Sequence, residues 1–225
     1  DPDFLNKAKA GQLDDIDYCV GCDQGCLDGF ADENCPQITC LRNPAVGREL
    51  ECKIVKAEKP ETVLVAGAGI AGLEAAIVLQ QRGHQAIVCE ASDKVGGQFL
   101  TAGEAPRKGE MKAAVIAMGK KAARLGADIR LNTPVTAELI EEIKPHTVFN
   151  AIGATPIIPN ILGKDQKFVV NSHDVLNGLA TPEGNVVVIG GGLVGLEVCE
   201  YLAEKGCKVT VLEMMKECGA DLGMA

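Results

Sequence analysis

Four cysteines carry the first chemical signal, in the order Cys19-x2-Cys22-x3-Cys26-x13-Cys40. Three thiols within eight residues, on a loop that also holds Gly21, Gly25 and Gly29, are spaced to wrap one face of a cubane iron–sulfur core. A distant fourth thiol would close it. Zinc sites more often join two close pairs, whereas here the far partner stands alone or with Cys35. The pattern favours a 4Fe–4S cluster over a zinc site or inert thiols. On the residues alone, Cys40 and Cys35, which is followed by Pro36, both stand open as the fourth ligand.

Two glycine strings carry the second signal. Gly67-Ala68-Gly69-Ile70-Ala71-Gly72 and Gly190-Gly191-Gly192-Leu193-Val194-Gly195 both read G-x-G-x-x-G. In such a string the first glycine turns the chain off a strand. The second admits a pyrophosphate close to the backbone, and the third lets a helix pack tightly on the sheet. The helix start, here Ile70-Ala71 and Leu193-Val194, then presents N–H groups to the phosphates. Glu90 and Glu213 each follow 23 residues after the first glycine, where a carboxylate can accept from both ribose hydroxyls. The same charge repels a 2′-phosphate, so Glu213 favours NADH over NADPH. Downstream of Glu90, Ala91 leads to Gly96-Gly97-Gln98, a glycine pair that lets the chain pass close to a flavin. Thr147–Pro156, with Gly153, is similar to the crossing segment of flavoproteins that bind two dinucleotides. These features assign FAD to the first string and a nicotinamide dinucleotide to the second.

The elements that must position these residues are legible as a βαβ alternation. Strands are expected over Thr62–Ala66, Ala86–Cys89, Asp128–Leu131, Thr147–Asn150 and Lys167–Val170, with a new unit opening at Asn185. Helices are expected over Ala71–Gln81, ended by Gly83, over Lys112–Leu125, closed by Gly126, and over Glu138–Ile143. Sliding the chain by 123 residues lays Val63–Glu90 on Val186–Glu213 with 11 of 28 positions identical, where about two would match by chance. The fold class is therefore α/β: a Rossmann-like FAD-binding domain and the start of a second Rossmann-like NAD-binding domain, preceded by an iron–sulfur loop segment. The domain division is 1–59 for the iron–sulfur segment and linker, 60–160 for the FAD domain, and 161–225 for the truncated NAD(P) domain.

Composition excludes several classes. The 225 residues carry 22 Lys and Arg against 31 Asp and Glu, a net charge of −9, which argues against nucleic-acid binding. No apolar run is long enough for a membrane span, and no leader is visible at Asp1. The 47% hydrophobic share argues against disorder. Clustered cysteines argue for a reducing cytoplasm rather than a disulfide scaffold. Cys89, Cys199 and Cys207 fall in apolar patterns as small hydrophobes. Glu138, Glu141 and Glu142 read as a solvated helix face, Lys120 and Lys121 as exposed, and His84, His146 and His173 as surface or structural.

Cys19-Val20-Gly21-Cys22-Asp23-Gln24-Gly25-Cys26-Leu27 and Cys40-Leu41-Arg42-Asn43-Pro44, followed by two dinucleotide strings, resemble one flavoprotein family. It is the 2,4-dienoyl-CoA reductase, enoate reductase and trimethylamine dehydrogenase group. The opening Asp1-Pro2-Asp3-Phe4 resembles that family's exit from an old-yellow-enzyme-type FMN barrel. The resemblance implies Cys40 as fourth cluster ligand, because in the family that ligand precedes Leu-x-Asn-Pro. It also implies a relay in which NADH reduces FAD, the cluster conducts single electrons, and FMN in the barrel reduces an activated C=C bond of a small-molecule substrate. No barrel precedes Asp1, and the second unit ends at Ala225, so the chain is expected to be a fragment with no catalytic acid or base of its own. Half a nucleotide domain would expose sheet edge and apolar face, so self-association is expected as an artefact of the shortened chain; separately, a homo-oligomer is an expectation for the parent enzyme. Two alternatives remain: an amine-dehydrogenase relative with ADP in the first site, and a zinc-stapled, non-catalytic nucleotide-binding module.

Overall fold

The structure, a computed structural model, describes residues 1–31, 33–34 and 37–220. In chain order the elements are α1 (Phe4–Lys9), a short 3-10 turn (Leu13–Asp15), α2 (Leu27–Ala31), β1 (Thr62–Ala66), α3 (Ile70–Arg82), β2 (Gln85–Cys89), α4 (Gln98–Ala102), α5 (Gly109–Arg124), β3 (Asp128–Arg130), α6 (Ala137–Ile143), β4 (Thr147–Asn150), α7 (Ser172–Leu176), β5 (Asn185–Ile189), α8 (Leu193–Glu204) and β6 (Lys208–Leu212). Among the described residues the chain divides into two compact units, one formed by 1–100 with 111–153, the other by 101–110 with 154–220. The cysteine segment groups with the first unit.

In the first unit four parallel strands run in the order β3-β2-β1-β4. Both faces of β1 and β2 are covered, which is why these strands read as unbroken apolar runs. On one face α3 and α5 deliver Leu73, Ala76, Ile77, Val115, Met118 and Ala122 onto Val63, Val65 and Val88. On the other, Leu64, Ile87 and Cys89 pack against Leu139, Ile140 and Ile143 of α6. Thr136 caps α6, its hydroxyl accepting from the Leu139 N–H at 3.3 Å. Gly83, at φ 92°, ends α3 in the left-handed conformation that its position after the last helical residue predicts.

The second unit repeats β1-α3-β2 as β5-α8-β6, each strand beginning and ending 123 residues on. Its core joins Val198 and Leu202 of α8 to Val175 and Leu176 of α7, with Val186, Val188 and Val209 against them. Among the described residues nothing covers one face of this sheet: Val187 is 57% exposed, whereas its counterpart Leu64 is 0% exposed. Ile189 and Leu212 share that face.

Lys167–Val170, expected as a strand, forms turns and irregular chain with Phe168 exposed. Its apolar run Phe168-Val169-Val170 has no neighbouring strand among the described residues to pair with, and a lone strand leaves its backbone groups to water. α4 and α7 were not expected. Among the described residues no helix is long and apolar enough to cross a membrane.

Candidate functional site

The first cradle is built at the C-terminal ends of β1 and β2. Gly67 N donates to the Cys89 carbonyl at 2.8 Å as the chain leaves β1. A Cβ on Gly72 would overlap the Gly67 carbonyl oxygen, so only glycine lets α3 begin this close to the sheet. Gly69 is the N-cap, with no side-chain cap, so the first N–H groups at Ile70 and Ala71 lie open for an anion. Glu90 closes the turn. Its Oε2 accepts from Ala68 N at 2.7 Å, and its Oε1 from Ser92 N and Ser92 Oγ, both at 2.9 Å. Burial pushes the Glu90 carboxyl up, but the hydrogen bonds from Ala68, Ser92 and Ala91 outweigh it and leave the carboxyl below its ordinary value.

Two later segments come against this loop. Gly96 N donates to the Ala68 carbonyl at 2.8 Å. Gly97, at φ 52°, approaches so closely that a Cβ there would stand 3.2 Å from Gly69 Cα. The glycine pair thus lies on the glycine loop itself, and Gln98 starts α4 directly after it. Ala151 N bonds the Ala66 carbonyl at 2.9 Å, which carries the chain past Gly67 before the bend at Gly153.

The second cradle reproduces the backbone hydrogen bonds of the first glycine turn and its acid, without a counterpart to the Ser92 Oγ bond. Gly190 N donates to the Leu212 carbonyl at 2.9 Å, and a Cβ on Gly195 would overlap the Gly190 carbonyl oxygen. Gly192 is the uncapped N-cap of α8, leaving the helix start at Leu193 and Val194 in the position of Ile70 and Ala71. Glu213 accepts from Gly191 N at 2.6 Å and from Met215 N at 2.7 Å, and these two bonds lower its carboxyl against a smaller effect of burial. Gly219 N bonds the Gly191 carbonyl at 2.8 Å, as Gly96 bonds Ala68. The Gly96–Gly219 equivalence lies just beyond the 28 aligned positions and was missed in the sequence, although sliding the window six residues further finds it.

The cysteine segment is held by charge and by one backbone bond. Thr39 N donates to the Gly25 carbonyl at 2.8 Å, drawing the Cys40 arm onto the loop that carries Cys26. At the base, Arg42 Nη2 meets Asp17 Oδ1 at 3.2 Å, so the residues two before Cys19 and two after Cys40 are joined. Lys121 of α5 reaches the other oxygen of Asp17 at 2.9 Å, tethering the segment to the helix. Lys121 is thus partly buried and engaged, contrary to the exposed role expected for it. Cys19 and Cys40 line one cavity of about 800 Å³ together with Arg42, Cys52, Glu74 and Lys121. Burial pushes the Glu74 carboxyl up, with Lys121 opposing. Gly21 N donates to Cys19 Sγ at 3.3 Å. Among the described residues, no three His, Cys, Asp or Glu side chains are grouped so as to hold a metal ion. Cys35, the rival ligand, lies outside the described residues. His84 and His146 are structural: their Nδ1 atoms accept from the backbone N–H of Glu61 and Thr62 at 3.2 Å.

The family model for pyridine nucleotide-disulphide oxidoreductases matches residues 61–224, the span of both cradles. The chain belongs to this family. Over 217 residues it is 41% identical to the bilirubin reductase of Mediterraneibacter gnavus (strain CC55_001C), covering 96% of this chain and 34% of that protein. It is 38% identical over 227 residues to the NADH oxidase of Thermoanaerobacter brockii, covering 99% of this chain and 35% of that one. Among solved structures, a 2-naphthoyl-CoA reductase superposes on 100% of this chain and 34% of its own with a TM-score of 0.94 at 34% identity. The chain therefore spans about a third of the length of these relatives. These matches take in the cysteine segment as well as the cradles, and they are enoate-reductase-type flavoproteins, as Cys19–Pro44 implied. In a pyridine nucleotide-disulphide oxidoreductase, two Rossmann-like folds of this kind serve FAD and a pyridine nucleotide. In the first cradle Cys89 is buried with its thiol pushed up by burial, and in the second burial pushes the Cys199 thiol up, with Cys218 adding to it.

Proposed function

We propose that this chain is the electron-transfer portion of a flavin-dependent oxidoreductase. In this reading NADH binds the Gly190–Glu213 cradle and FAD the Gly67–Glu90 cradle. A 4Fe–4S cluster held by Cys19, Cys22, Cys26 and Cys40 leads to FMN in a barrel outside this chain, where an activated C=C bond is reduced. The single observation that carries the reading is the duplicated clasp, in which the acid ending the second strand takes the N–H between the first two glycines at Glu90–Ala68 and again at Glu213–Gly191.

The protein's own groups do the positioning. In each cradle the clasp fixes the glycine turn from which the helix starts, so a pyrophosphate would meet a pre-set helix N-terminus. One oxygen of each carboxylate keeps lone-pair capacity for a ribose hydroxyl. Glu213, followed by Met214 and Met215 with no arginine, repels a 2′-phosphate and supports NADH as the donor.

For the cluster, the donor set has the right chemistry, and the Gly25–Thr39 bond and the Asp17–Arg42 pair bring the two thiol-bearing arms together at the backbone. The buried Arg42 Nε, without an acceptor among the described residues, marks a place prepared for one. When bound, such a cluster supplies one-electron transfer between carriers. The nine described cysteines are free thiols, which supports a reducing compartment such as the cytoplasm.

The test is cofactor analysis of the natural-length protein purified without oxygen. Released FAD together with iron and acid-labile sulfide supports the proposal. Released ADP, or zinc in place of iron, overturns it.

A further inference from the structure

The chain passes between the two units three times among the described residues, at 100/101 within α4, at 110/111 within α5, and at 153/154. Residues 101–110 thus form a strap whose covalent ends run into one unit while its side-chain bonds go to the other. At the ends, Leu100 of α4 and Val115 of α5 are buried in the core of the first unit. Along the strap, the buried Thr101 donates its hydroxyl to Asn177 Oδ1 at 2.9 Å, just past α7. Lys108 pairs with Glu197, and Arg107 pairs with Glu200 and, at 3.5 Å, with Glu204. The three acids are spaced i, i+3 and i+7, which sets them in one row along α8. That row is particular to α8: at the offset of 123 its counterparts on α3 are Glu74, Ile77 and Gln81, and Ile77 is buried. Arg107 also holds a left-handed backbone, φ 61°, a conformation that a side chain keeps only where its surroundings hold it. The Arg107 side chain is 70% exposed, so its pairs are individually weak and open to screening by salt.

We infer that residues 101–110 are a salt-sensitive latch on the second nucleotide-binding fold. Closed, Arg107 and Lys108 hold the acidic row of α8, and the fold is joined to the first unit by all three chain crossings. Open, the strap stays with α4 and α5, and of the three crossings the one at 153/154 remains. Gly153 sits at that crossing with φ 77° and, among the described residues, open space around its α-carbon, so the chain can turn there. The latch therefore sets how freely the second cradle moves, whichever nucleotide each cradle binds. A row of surface charge pairs suits this role, because it opens where an apolar seam would stay shut.

The experiment is hydrogen–deuterium exchange of the natural-length protein, with its cofactors as purified, read by mass spectrometry at low and high salt. Raising salt from about 0.01 M to about 1 M shortens the screening length from about 30 Å to about 3 Å. In wild type, exchange over residues 101–110 is expected to rise about tenfold as several surface pairs are lost together. Exchange around Gly153 is expected to rise with it, while β1 and β5 stay unchanged. The double variant Arg107→Gln, Lys108→Gln is expected to show the high-salt rates already at low salt, with no further response. Reversing one pair, Lys108→Glu with Glu197→Lys, is expected to restore the wild-type rates that Lys108→Glu alone loses. Salt-insensitive exchange over 101–110 in wild type overturns the inference, as does a double variant that exchanges like wild type at low salt. A faster strap with no gain around Gly153, or a rise shared by β1 and β5, overturns it as well.

Discussion

Changing Glu90 and Glu213 separately to glutamine separates the two cradles. Glu90 accepts three hydrogen bonds, from Ala68 N at 2.7 Å and from Ser92 N and Oγ at 2.9 Å. Glutamine matches the shape but replaces one acceptor oxygen with a donor, so at least one of these N–H groups faces another donor. Hydrogen bonds to a charged acceptor contribute about 1.5–3 kcal/mol each. Water reaches much of Glu90, so the low end applies, about 1.5 kcal/mol or roughly tenfold in affinity. The assay is FAD titration of the deflavinated natural-length protein by fluorescence quenching, alongside the KM for NADH at saturating FAD. Glu90→Gln is expected to weaken FAD about tenfold with the NADH KM unchanged. Glu213→Gln is expected to raise the NADH KM with FAD binding unchanged. Equal effects of either variant on both ligands, or no effect of Glu90→Gln on FAD, would refute the assignment of one dinucleotide to each clasp.

Three further outcomes follow from the same geometry. Because its hydrogen bonds hold the Glu90 carboxyl below its ordinary value, their stabilisation is fully present above the unfolded value and is lost as pH falls through the lower folded value. Acid unfolding of the first unit, followed by flavin release, should therefore lose part of its steepness in Glu90→Gln, and an unchanged acid limb would contradict this. Gly72→Ala sets a Cβ against the Gly67 carbonyl, a backbone atom with little room to yield, and should destabilise by about 3 kcal/mol in urea unfolding, whereas less than about 1 kcal/mol would show that the turn adapts. Asp17→Asn removes the partner of both Arg42 and Lys121 and should weaken the anchoring of the cysteine segment by about 2 kcal/mol, roughly thirtyfold in local opening, read as faster proteolysis between residues 17 and 60.

The nucleotide-binding frame was legible because its constraints are local and repeated. The 123-residue offset, read from 11 identities, carries over to strand ends, turn bonds and both carboxylate clasps. What was not legible depends on partners distant in sequence. Nothing near Lys121 announces Asp17, which lies 104 residues away, so a lysine flanked by helix formers read as solvated. Lys167–Val170 shows the opposite failure, since a short β-branched apolar run can read as a strand but a pairing partner is also required. α7 carried a usable signal that went unread: Asn171 sits three residues before Asp174 and caps the helix, its Oδ1 accepting from Asp174 N at 2.9 Å. The cysteine spacing pointed to a shared inorganic core. The structure brings the backbone arms together without grouping three ligating side chains among the described residues, so the spacing alone does not set a shared site.

The central claim is that reducing equivalents entering at the Glu213 cradle leave through the cysteine segment. It is tested most directly by mixing NADH with the oxygen-free natural-length protein and freezing samples at successive times for low-temperature EPR. The account predicts flavin bleaching followed by the signal of a reduced 4Fe–4S cluster, with that signal absent in Cys40→Ser. Flavin bleaching in iron-replete protein with no cluster signal at any time would contradict it.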